Sequence, residues 1–261
     1  MTLTVDSPWI LNPVNSPKKP RLRLFCFSHA GGSPANYMSW QKKLAPSIEV
    51  LAIQLPGRGA RFNEKNVVHF TSLMNLLAPV IKQYNDLPFV FFGHSLGAMI
   101  AFELCHHLVK CNQQIPKHLF VSGANPPSQQ PNRPCFESMS DKELIELLEN
   151  YEGTPSEVLE EPMLMELLLP AIRADFMLLN SYQYSMRSKL PFPLTLLTGT
   201  RDSNLSSDIL LAWQKETMNI FQHEPFDGGH FYINSQEMTL LKTLSRYLTP
   251  LLIENDSEQQ V

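Results

Sequence analysis

Apolar segments of strand length alternate with helical patterns along most of this chain, and this alternation restricts its fold more than any other feature. The strand-like segments cover residues 9–11, 22–27, 50–55, 89–92, 119–122, 194–197 and 220–225. Between them, the spacing of apolar residues predicts helices at about 35–45, 70–85, 97–110, 206–217 and 236–252. This order indicates an α/β fold, with a mainly parallel central sheet flanked by helices.

Residues 125–190 interrupt the alternation. They contain no clear strand pattern and predict a proline-rich loop followed by helices around 141–150 and 162–183. The chain has 261 residues, which one large α/β domain can accommodate. We therefore expect a single domain over residues 1–261, with residues 125–190 inserted between two strands as a helical lid.

The segment Gly93-His94-Ser95-Leu96-Gly97 directly follows an apolar strand pattern, and a helical pattern begins at once after it. A serine on a sharp turn between a strand and a helix projects its hydroxyl above the sheet, and the flanking glycines permit tight packing. The bare pattern also occurs as a plain glycine-rich turn. Because a strand and a helix flank it here, Ser95 is the candidate nucleophile.

A serine needs a base, which in this kind of fold comes late in the chain. His230 follows the last strand pattern, in the segment Asp227-Gly228-Gly229-His230-Phe231, and is the candidate base. His69, His118 and His223 are interpreted as surface or element-end residues. His29 and His94 are interpreted as residues that shape their loops.

Four aspartates are candidates for the acid that orients the base: Asp175, Asp202, Asp208 and Asp227. Asp202 follows the strand pattern at 194–197 after a short turn, at the sheet edge expected for Ser95 and His230. The order Ser95, Asp202, His230 is that of the α/β-hydrolases. Asp227 is very close in sequence to His230, Asp175 falls in the expected lid, and Asp208 falls in a predicted helix, so Asp202 is preferred.

Acyl-transfer chemistry also needs backbone N–H groups that stabilise a developing oxyanion. The glycine-containing loop 28–33 follows the strand pattern at 22–27, where this fold provides the first donor. The N–H of Leu96, directly after the nucleophile, is expected to be the second. The same loop can equally be read as a glycine turn that opens a helix.

Five segments resemble one known family, and they occur in that family's order. They read FCFSHAGGS (25–33), LPGRGARF (55–62), FFGHSLGAMIAFEL (91–104), RADF with a following tyrosine (173–182) and GGHFY (228–232). Together they resemble the type II thioesterases, the stand-alone editing hydrolases of nonribosomal peptide and polyketide synthases. The resemblance extends from about residue 9 to residue 251. The family usually has proline where this chain has Ser28.

The resemblance implies an α/β-hydrolase fold with a mobile helical lid, and hydrolysis of acyl groups from the phosphopantetheine arm of a carrier protein. It also implies that Ser95, His230 and Asp202 are nucleophile, base and acid, and that the N–H groups of Ala30 and Leu96 form the oxyanion hole. No cofactor and no metal ion are implied. Integrated, chain-terminating thioesterases commonly carry their acid at the end of the strand that follows the nucleophile helix, where this chain has Gly123.

Composition and charge exclude several classes of protein. The net charge of −4 argues against a dedicated nucleic-acid binder, and no apolar run is long enough to cross a membrane. The four cysteines show no CxxC spacing, so neither a zinc site nor a redox pair is indicated. Without an export signal at the N-terminus, we expect reduced thiols in a cytoplasmic protein. We also expect a monomer.

Three alternatives remain open from the sequence. The chain could release finished products from a synthase, act as a general carboxylesterase on free esters, or serve as a non-catalytic scaffold that binds carrier proteins. The complete Ser95, Asp202 and His230 set counts against the scaffold.

Two further expectations concern the lid and the carrier protein. Apolar residues at helical spacing could either pack into the core or line an acyl channel; they are Met163, Leu164, Leu167, Leu168, Ile172, Phe176 and Leu179. Residues 141–166 hold nine acidic residues and one basic residue, whereas residues 17–65 hold nine basic and two acidic residues. Because carrier proteins are typically acidic, we expect docking beside loops 28–33 and 56–62, with Arg58 and Arg61 as contacts. The alternative is that this basic surface is merely solvated.

Overall fold

The computed structural model describes residues 7–13, 15–150 and 156–258. The seven described strands are β1 (Ile10–Leu11), β2 (Leu22–Phe27), β3 (Ile48–Ile53), β4 (Phe89–His94), β5 (Leu119–Ser122), β6 (Leu194–Gly199) and β7 (Phe221–Phe226). The described α-helices are α1 (Phe70–Lys82), α2 (Leu96–Lys110), α3 (Asp141–Asn150), α4 (Ser156–Leu159), α5 (Pro162–Asn180), α6 (Ile209–Gln214), α7 (Tyr232–Ser235) and α8 (Glu237–Glu258).

The strands form one sheet in the order β1-β3-β2-β4-β5-β6-β7. Every neighbouring pair is parallel except β1 with β3. The register aligns Phe27 with Gly93 and His94 with Ser122, so these strands end at one edge of the sheet. The predicted mainly parallel sheet is confirmed, including the short edge strand near residue 10.

Side chains on the two faces of the sheet pack into two separate apolar clusters. Phe89 and Phe91 of β4 lie in the cluster formed with α1, α2 and α5. Val90 and Phe92 alternate with them and lie in the cluster formed with α8. A central strand buried on both faces explains why residues 89–92 read as a continuous apolar run.

An insertion over residues 123–193 separates β5 from β6 and contains α3, α4 and α5. Ser140 and Glu143 form reciprocal capping contacts at the start of α3: Ser140 N–H donates to Glu143 (2.7 Å), and Glu143 N–H donates to Ser140 Oγ (3.3 Å). Pro162 is at the start of α5, where its lack of an N–H costs no hydrogen bond within the helix. The helices therefore lie close to their expected positions at 141–150 and 162–183.

The prediction of one helix at 35–45 is wrong. The segment forms two short 3₁₀ helices, Pro34–Tyr37 and Trp40–Lys42. Buried Gln41 holds this segment against β3, because its side chain donates to Ile48 O and accepts from Val50 N–H, each at 2.9 Å. These contacts with β3 override the local helical pattern.

Candidate active site

A cavity of about 210 Å³ opens at the edge of the sheet where the strands end. Ser95, Leu96, Ala30 and His230 all line this cavity. Four of the five predicted site residues thus border one cavity. The fifth, Asp202, is not among the lining residues and contacts His230.

Ser95 occupies a strained turn between β4 and α2. Its φ of 55° and ψ of −116° lie outside the regions that non-glycine residues prefer, and within the described chain only Asn112 shares a positive φ among non-glycine residues. The Ser95 N–H donates to Ser122 O at 2.8 Å, which ties the turn to β5. Strain held in this way is typical of functional sites.

Two glycines make this turn possible. A Cβ atom on Gly93 would lie 2.2 Å from the carbonyl oxygen of Gly97, and one on Gly97 would lie 2.0 Å from the carbonyl oxygen of Phe27. Both distances are far below van der Waals contact. Any side chain at either position would push α2 away from the sheet and displace Ser95.

His230 and Asp202 form a hydrogen bond of 2.7 Å between Nδ1 and Oδ2. Asp202 Oδ1 also accepts from the N–H of Asn204 at 3.0 Å, and the Asp202 side chain is fully buried. A carboxylate at Nδ1 favours the tautomer in which Nδ1 carries the proton and Nε2 is free to accept one.

The loops that carry these two residues are tied together by their backbones. Thr200 N–H donates to Phe226 O and Arg201 N–H to Gly228 O, each at 2.8 Å. A Cβ atom on Gly199 would lie 2.2 Å from Gly229 O, so the loops approach as closely as glycine allows. This contact holds Asp202 against His230.

The other three candidate acids lie elsewhere. Asp227 is exposed and pairs with Arg201, and Asp208 directly precedes α6, without a side-chain capping hydrogen bond, instead of lying within it. Asp175 is buried in α5, where it pairs with Arg58. Of the four carboxylates, Asp202 is the one hydrogen-bonded to His230.

Gly123, the first residue after β5, leaves no room for a side chain beside His230. Its φ is +57°, and a Cβ atom there would lie 2.8 Å from Cε1 of His94 and 3.3 Å from Cε1 of His230. An acid could not stand at this position without moving both rings. The carboxylate that does contact His230 comes instead from the loop after β6.

His94 is buried beside His230, and the sequence did not reveal its contacts. Its Nδ1 atom lies 2.9 Å from Ser122 Oγ, which in turn lies 2.6 Å from Tyr232 OH. Burial holds the pKa of His94 well below its ordinary value, and the nearby His230 and His29 lower it further. A neutral ring therefore packs beside His230, with 5.0 Å between the ring centroids.

Two other histidines are also buried. Burial lowers the pKa of His29 to about 4, and the neighbouring His230 contributes to the shift. His118 precedes β5, as an element-end residue should, but it is buried, stacks on Phe120 and contacts Thr195 Oγ1 through Nε2 at 2.8 Å. Sequence patterns carry no signal for these partners, which are distant in the chain.

The cavity is lined by both apolar and polar side chains. The apolar ones include Met99, Leu148, Phe176, Leu179 and Leu205. The polar ones include Asn125, Gln130, Arg133 and Asn204, besides Ser95 and His230. Such a mixed lining suits a ligand that combines an apolar chain with polar groups.

The apolar stripe of the insertion divides along α5. Met163, Leu164 and Leu167 are exposed, whereas Phe176 and Leu179 line the cavity. Phe176 also stacks on Phe136, with the ring centroids 4.6 Å apart. Both interpretations of the stripe therefore hold for its C-terminal half, which packs in the core and borders the cavity.

The expectation that Arg58 and Arg61 are exposed contacts for a carrier protein is wrong, whereas docking beside loops 28–33 and 56–62 stays a prediction. Their side chains are 10% and 5% exposed. Arg58 pairs with Asp175, and Arg61 pairs with Glu64 and lies 3.8 Å from the ring centre of Trp9. Both arginines are internal parts of the fold.

In the acidic segment 141–166, Glu152 lies outside the described residues, as does the side chain of Glu157.

Two searches of the described residues bear on other functions. No group of three or more His, Cys, Asp or Glu side chains there could hold a metal ion. None of the described helices is long and apolar enough to cross a bilayer.

Comparison with known proteins identifies the family. The sequence model of the Thioesterase domain matches residues 22–248. Gramicidin S biosynthesis protein GrsT of Aneurinibacillus migulanus is 34% identical over 245 residues, which cover 94% of this chain and 95% of that protein. A protein named linear gramicidin dehydrogenase LgrE, from Brevibacillus parabrevis, is also 34% identical, over 250 residues that cover 95% of both.

A solved structure agrees with the family match. The type II thioesterase BorB from the borrelidin biosynthetic cluster is 34% identical, with a TM-score of 0.83 over 92% of this chain and 97% of its own. The name of LgrE refers to another activity, but the family match and BorB both indicate a thioesterase. The chain therefore belongs to the thioesterase family, and it is a thioester hydrolase with an α/β-hydrolase fold, similar to the type II enzymes.

Proposed function

We propose that this enzyme hydrolyses acyl groups from the phosphopantetheine arm of carrier proteins, and so clears misprimed or stalled synthases. The relatives GrsT and BorB support this substrate class, because their names tie them to the biosynthesis of gramicidin S and borrelidin. The mixed apolar and polar lining of the cavity supports it as well, since the substrate combines an acyl chain with a polar arm.

Ser95 is the proposed nucleophile. Its Oγ attacks the thioester carbonyl carbon while Nε2 of His230 takes the hydroxyl proton. The Asp202 carboxylate stabilises the imidazolium through the hydrogen bond to Nδ1. The C–S bond then breaks, the leaving sulfur receives the proton from His230, and the acyl group remains on Ser95 as an ester.

Water completes the reaction. It gives a proton to His230 while its oxygen attacks the ester carbonyl carbon, and the Ser95 oxygen recovers that proton as the free acid forms. In both halves, the N–H groups of Ala30 and Leu96 donate to the carbonyl oxygen as it becomes negative. These steps move only protons and an acyl group, so the proposed reaction uses no cofactor.

The observation that carries this proposal is the hydrogen bond between His230 and Asp202 at a cavity that also contains Ser95. Strain at Ser95 and the missing space for an acid at Gly123 support the same assignment.

The proposal treats the chain as a single domain in which the insertion acts as a lid over the cavity. It also takes the acting unit to be one chain in the cytoplasm. All four cysteines are free, which supports a reducing compartment.

Two measurements test the proposal. A fluorophosphonate probe should label the wild-type protein and leave Ser95→Ala unlabelled. Hydrolysis of acyl-carrier thioesters should then exceed hydrolysis of simple esters with the same acyl group. Absence of labelling would favour a binding scaffold, and equal rates on both substrates would favour a general carboxylesterase.

A third measurement distinguishes an editing enzyme from a product-releasing one. An editing enzyme should hydrolyse short acyl groups on the carrier faster than the complete product of the synthase. The opposite order would identify a product-releasing thioesterase.

A further inference from the structure

A buried ion pair connects the insertion with the loop that carries the proposed oxyanion donor Ala30. Arg58 Nη2 lies 2.6 Å from Asp175 Oδ1, and Arg58 Nη1 lies 2.8 Å from Asp175 Oδ2. This is a paired, two-point contact between a guanidinium and a carboxylate, the geometry in which such pairs are most directional. The Asp175 side chain is 2% exposed, so the contact is shielded from solvent.

Both members of the pair also bind the backbone of that loop. Asp175 Oδ2 accepts a hydrogen bond from Gly31 N–H at 2.8 Å. Arg58 Nη1 donates to Gly32 O at 3.1 Å. The two side chains therefore hold the loop at consecutive residues, through one donor and one acceptor.

The loop itself is a tight turn. Gly32 N–H donates to His29 O at 2.9 Å, and Gly31 has a φ of +76°, as the third residue of a type II turn requires. Ala30 is the second residue of this turn. The Ala30 N–H belongs to the same peptide group as His29 O, which accepts from Gly32 N–H. Holding Gly31 and Gly32 in place therefore also holds the direction of the Ala30 N–H.

Helix α5 contacts the turn at a second point. A Cβ atom on Gly31 would lie 3.0 Å from Cγ1 of Ile172, one helical turn before Asp175. Phe176 and Leu179, further along the same helix, line the cavity. One helix therefore supplies a cavity wall, the packing surface under the turn and the carboxylate that binds it.

We propose that Asp175 and Arg58 are positioning residues for the oxyanion hole: they hold the His29–Gly32 turn so that the Ala30 N–H points at the reacting carbonyl. The inference rests on the proposed role of Ala30 as an oxyanion donor. Because Asp175 belongs to the insertion, the same contact couples the position of α5 to the geometry of the oxyanion hole.

The chain contains a matched control for this pair. Arg61 lies in the same loop, is as buried as Arg58, and also binds a carboxylate at two points, Glu64 at 2.9 and 2.6 Å. Its third contact is to Gln54 O at 3.0 Å. None of these partners belongs to the His29–Gly32 turn, so Arg61→Gln removes a buried, carboxylate-paired arginine without changing a contact to that turn.

The test compares Asp175→Asn, Arg58→Lys and Arg61→Gln with a short acyl-N-acetylcysteamine thioester, which removes carrier docking from the measurement. Thermal unfolding first establishes that each variant is folded. The readouts are kcat, KM and the inhibition constant of an alkyl boronic acid, whose tetrahedral adduct on a serine uses the oxyanion hole.

Asp175→Asn should lower kcat by about 10- to 100-fold, somewhat less than the ~10²–10³ expected for complete loss of one oxyanion donor. The boronic acid should bind more weakly by a similar factor, while KM changes by less than about threefold, because donors that act on the developing oxyanion contribute mainly in the transition state. Arg61→Gln should leave both kcat and boronic acid binding within about twofold of wild type.

Equal kcat values for Asp175→Asn and Arg61→Gln, or a loss of thermal stability with unchanged boronic acid binding, would overturn the inference. If Asp175→Asn does not fold, Arg58→Lys decides the question, because lysine keeps the charge but cannot make the paired contact. The proposed function is tested separately by Ser95→Ala, so either conclusion can fail while the other stands.

Discussion

Nδ1 of His230 lies 2.7 Å from Oδ2 of Asp202, and the loops that carry the two residues follow β6 and β7. The contact depends on the close approach of these loops at Gly199 and Gly229, where a Cβ atom would collide with a carbonyl oxygen. The hydrogen bond between His230 and Asp202 therefore depends on how these two loops pack at the edge of the sheet.

Ser95→Ala and His230→Ala should each abolish thioester hydrolysis while the protein stays folded, because neither side chain is needed to hold the sheet together. Residues that act as one unit in catalysis do not have additive effects, so the double variant should be scarcely slower than either single variant. Steady-state rates and circular dichroism test this. A further large loss in the double variant would mean that the two residues act independently.

Asp202→Asn should lower kcat by roughly 10³- to 10⁴-fold, because an amide at this position favours the wrong tautomer of His230. Asp227→Asn is the matched control, since Asp227 lies three residues before His230 but is exposed and paired with Arg201. Its kcat should stay near that of wild type. The opposite result for the two variants would make Asp227 the acid.

The free energy of unfolding should fall as the pH is lowered from 7.5 to 5, in part because of His118. Burial lowers the pKa of His118 in the folded state from 6.5 to about 4. Between these values the unfolded chain binds more protons than the folded one, so acid favours unfolding, by about 2 kcal/mol at pH 5 for one such group.

The variant His118→Gln removes this proton binding and keeps a polar side chain opposite Thr195. Urea unfolding at both pH values should therefore show a smaller loss of stability on acidification than in wild type. Since His118 is remote from the cavity lining, activity at neutral pH should be unaffected. An unchanged pH dependence would show that His118 does not titrate between the two states as expected.

Phe176 lines the cavity and stacks on Phe136. Because Phe176→Ala removes the ring and enlarges the cavity, the variant should prefer longer acyl groups than wild type does. Leu178→Ala is the control on the same helix: Leu178 is fully buried but does not border the cavity. Both variants should lose stability, by about 2–5 kcal/mol for Leu178→Ala. A series of acyl thioesters of increasing length measures the difference, and identical profiles in the two variants would assign Phe176 to the core alone.

The strands and the order of the site residues were predictable because they depend on local patterns. Continuous apolar runs mark strands buried on both faces, as in β4, and the order of Ser95, Asp202 and His230 follows from which strand ends carry them. The α/β architecture and the thioesterase family were accordingly found from the sequence.

Contacts between distant segments were not predictable. Arg58 and Asp175 are separated by 117 positions, and nothing in either segment indicates the other. The sequence alone therefore predicts Arg58 at the surface and leaves Asp175 among the candidate acids. The helix predicted at 35–45 failed for the same reason, because the contacts of Gln41 with β3 determine its conformation.

The crowding at Gly123 has a consequence for protein engineering. Moving the acid from the loop after β6 to the end of β5 would require more than exchanging Asp202 and Gly123, because the new side chain would need space now filled by His94 and a backbone that is not left-handed. Intermediate sequences with an acid at both positions would have a distorted site. The two placements of the acid therefore need different surroundings, and a library that aims to move the acid should vary positions 94, 122, 123 and 202 together.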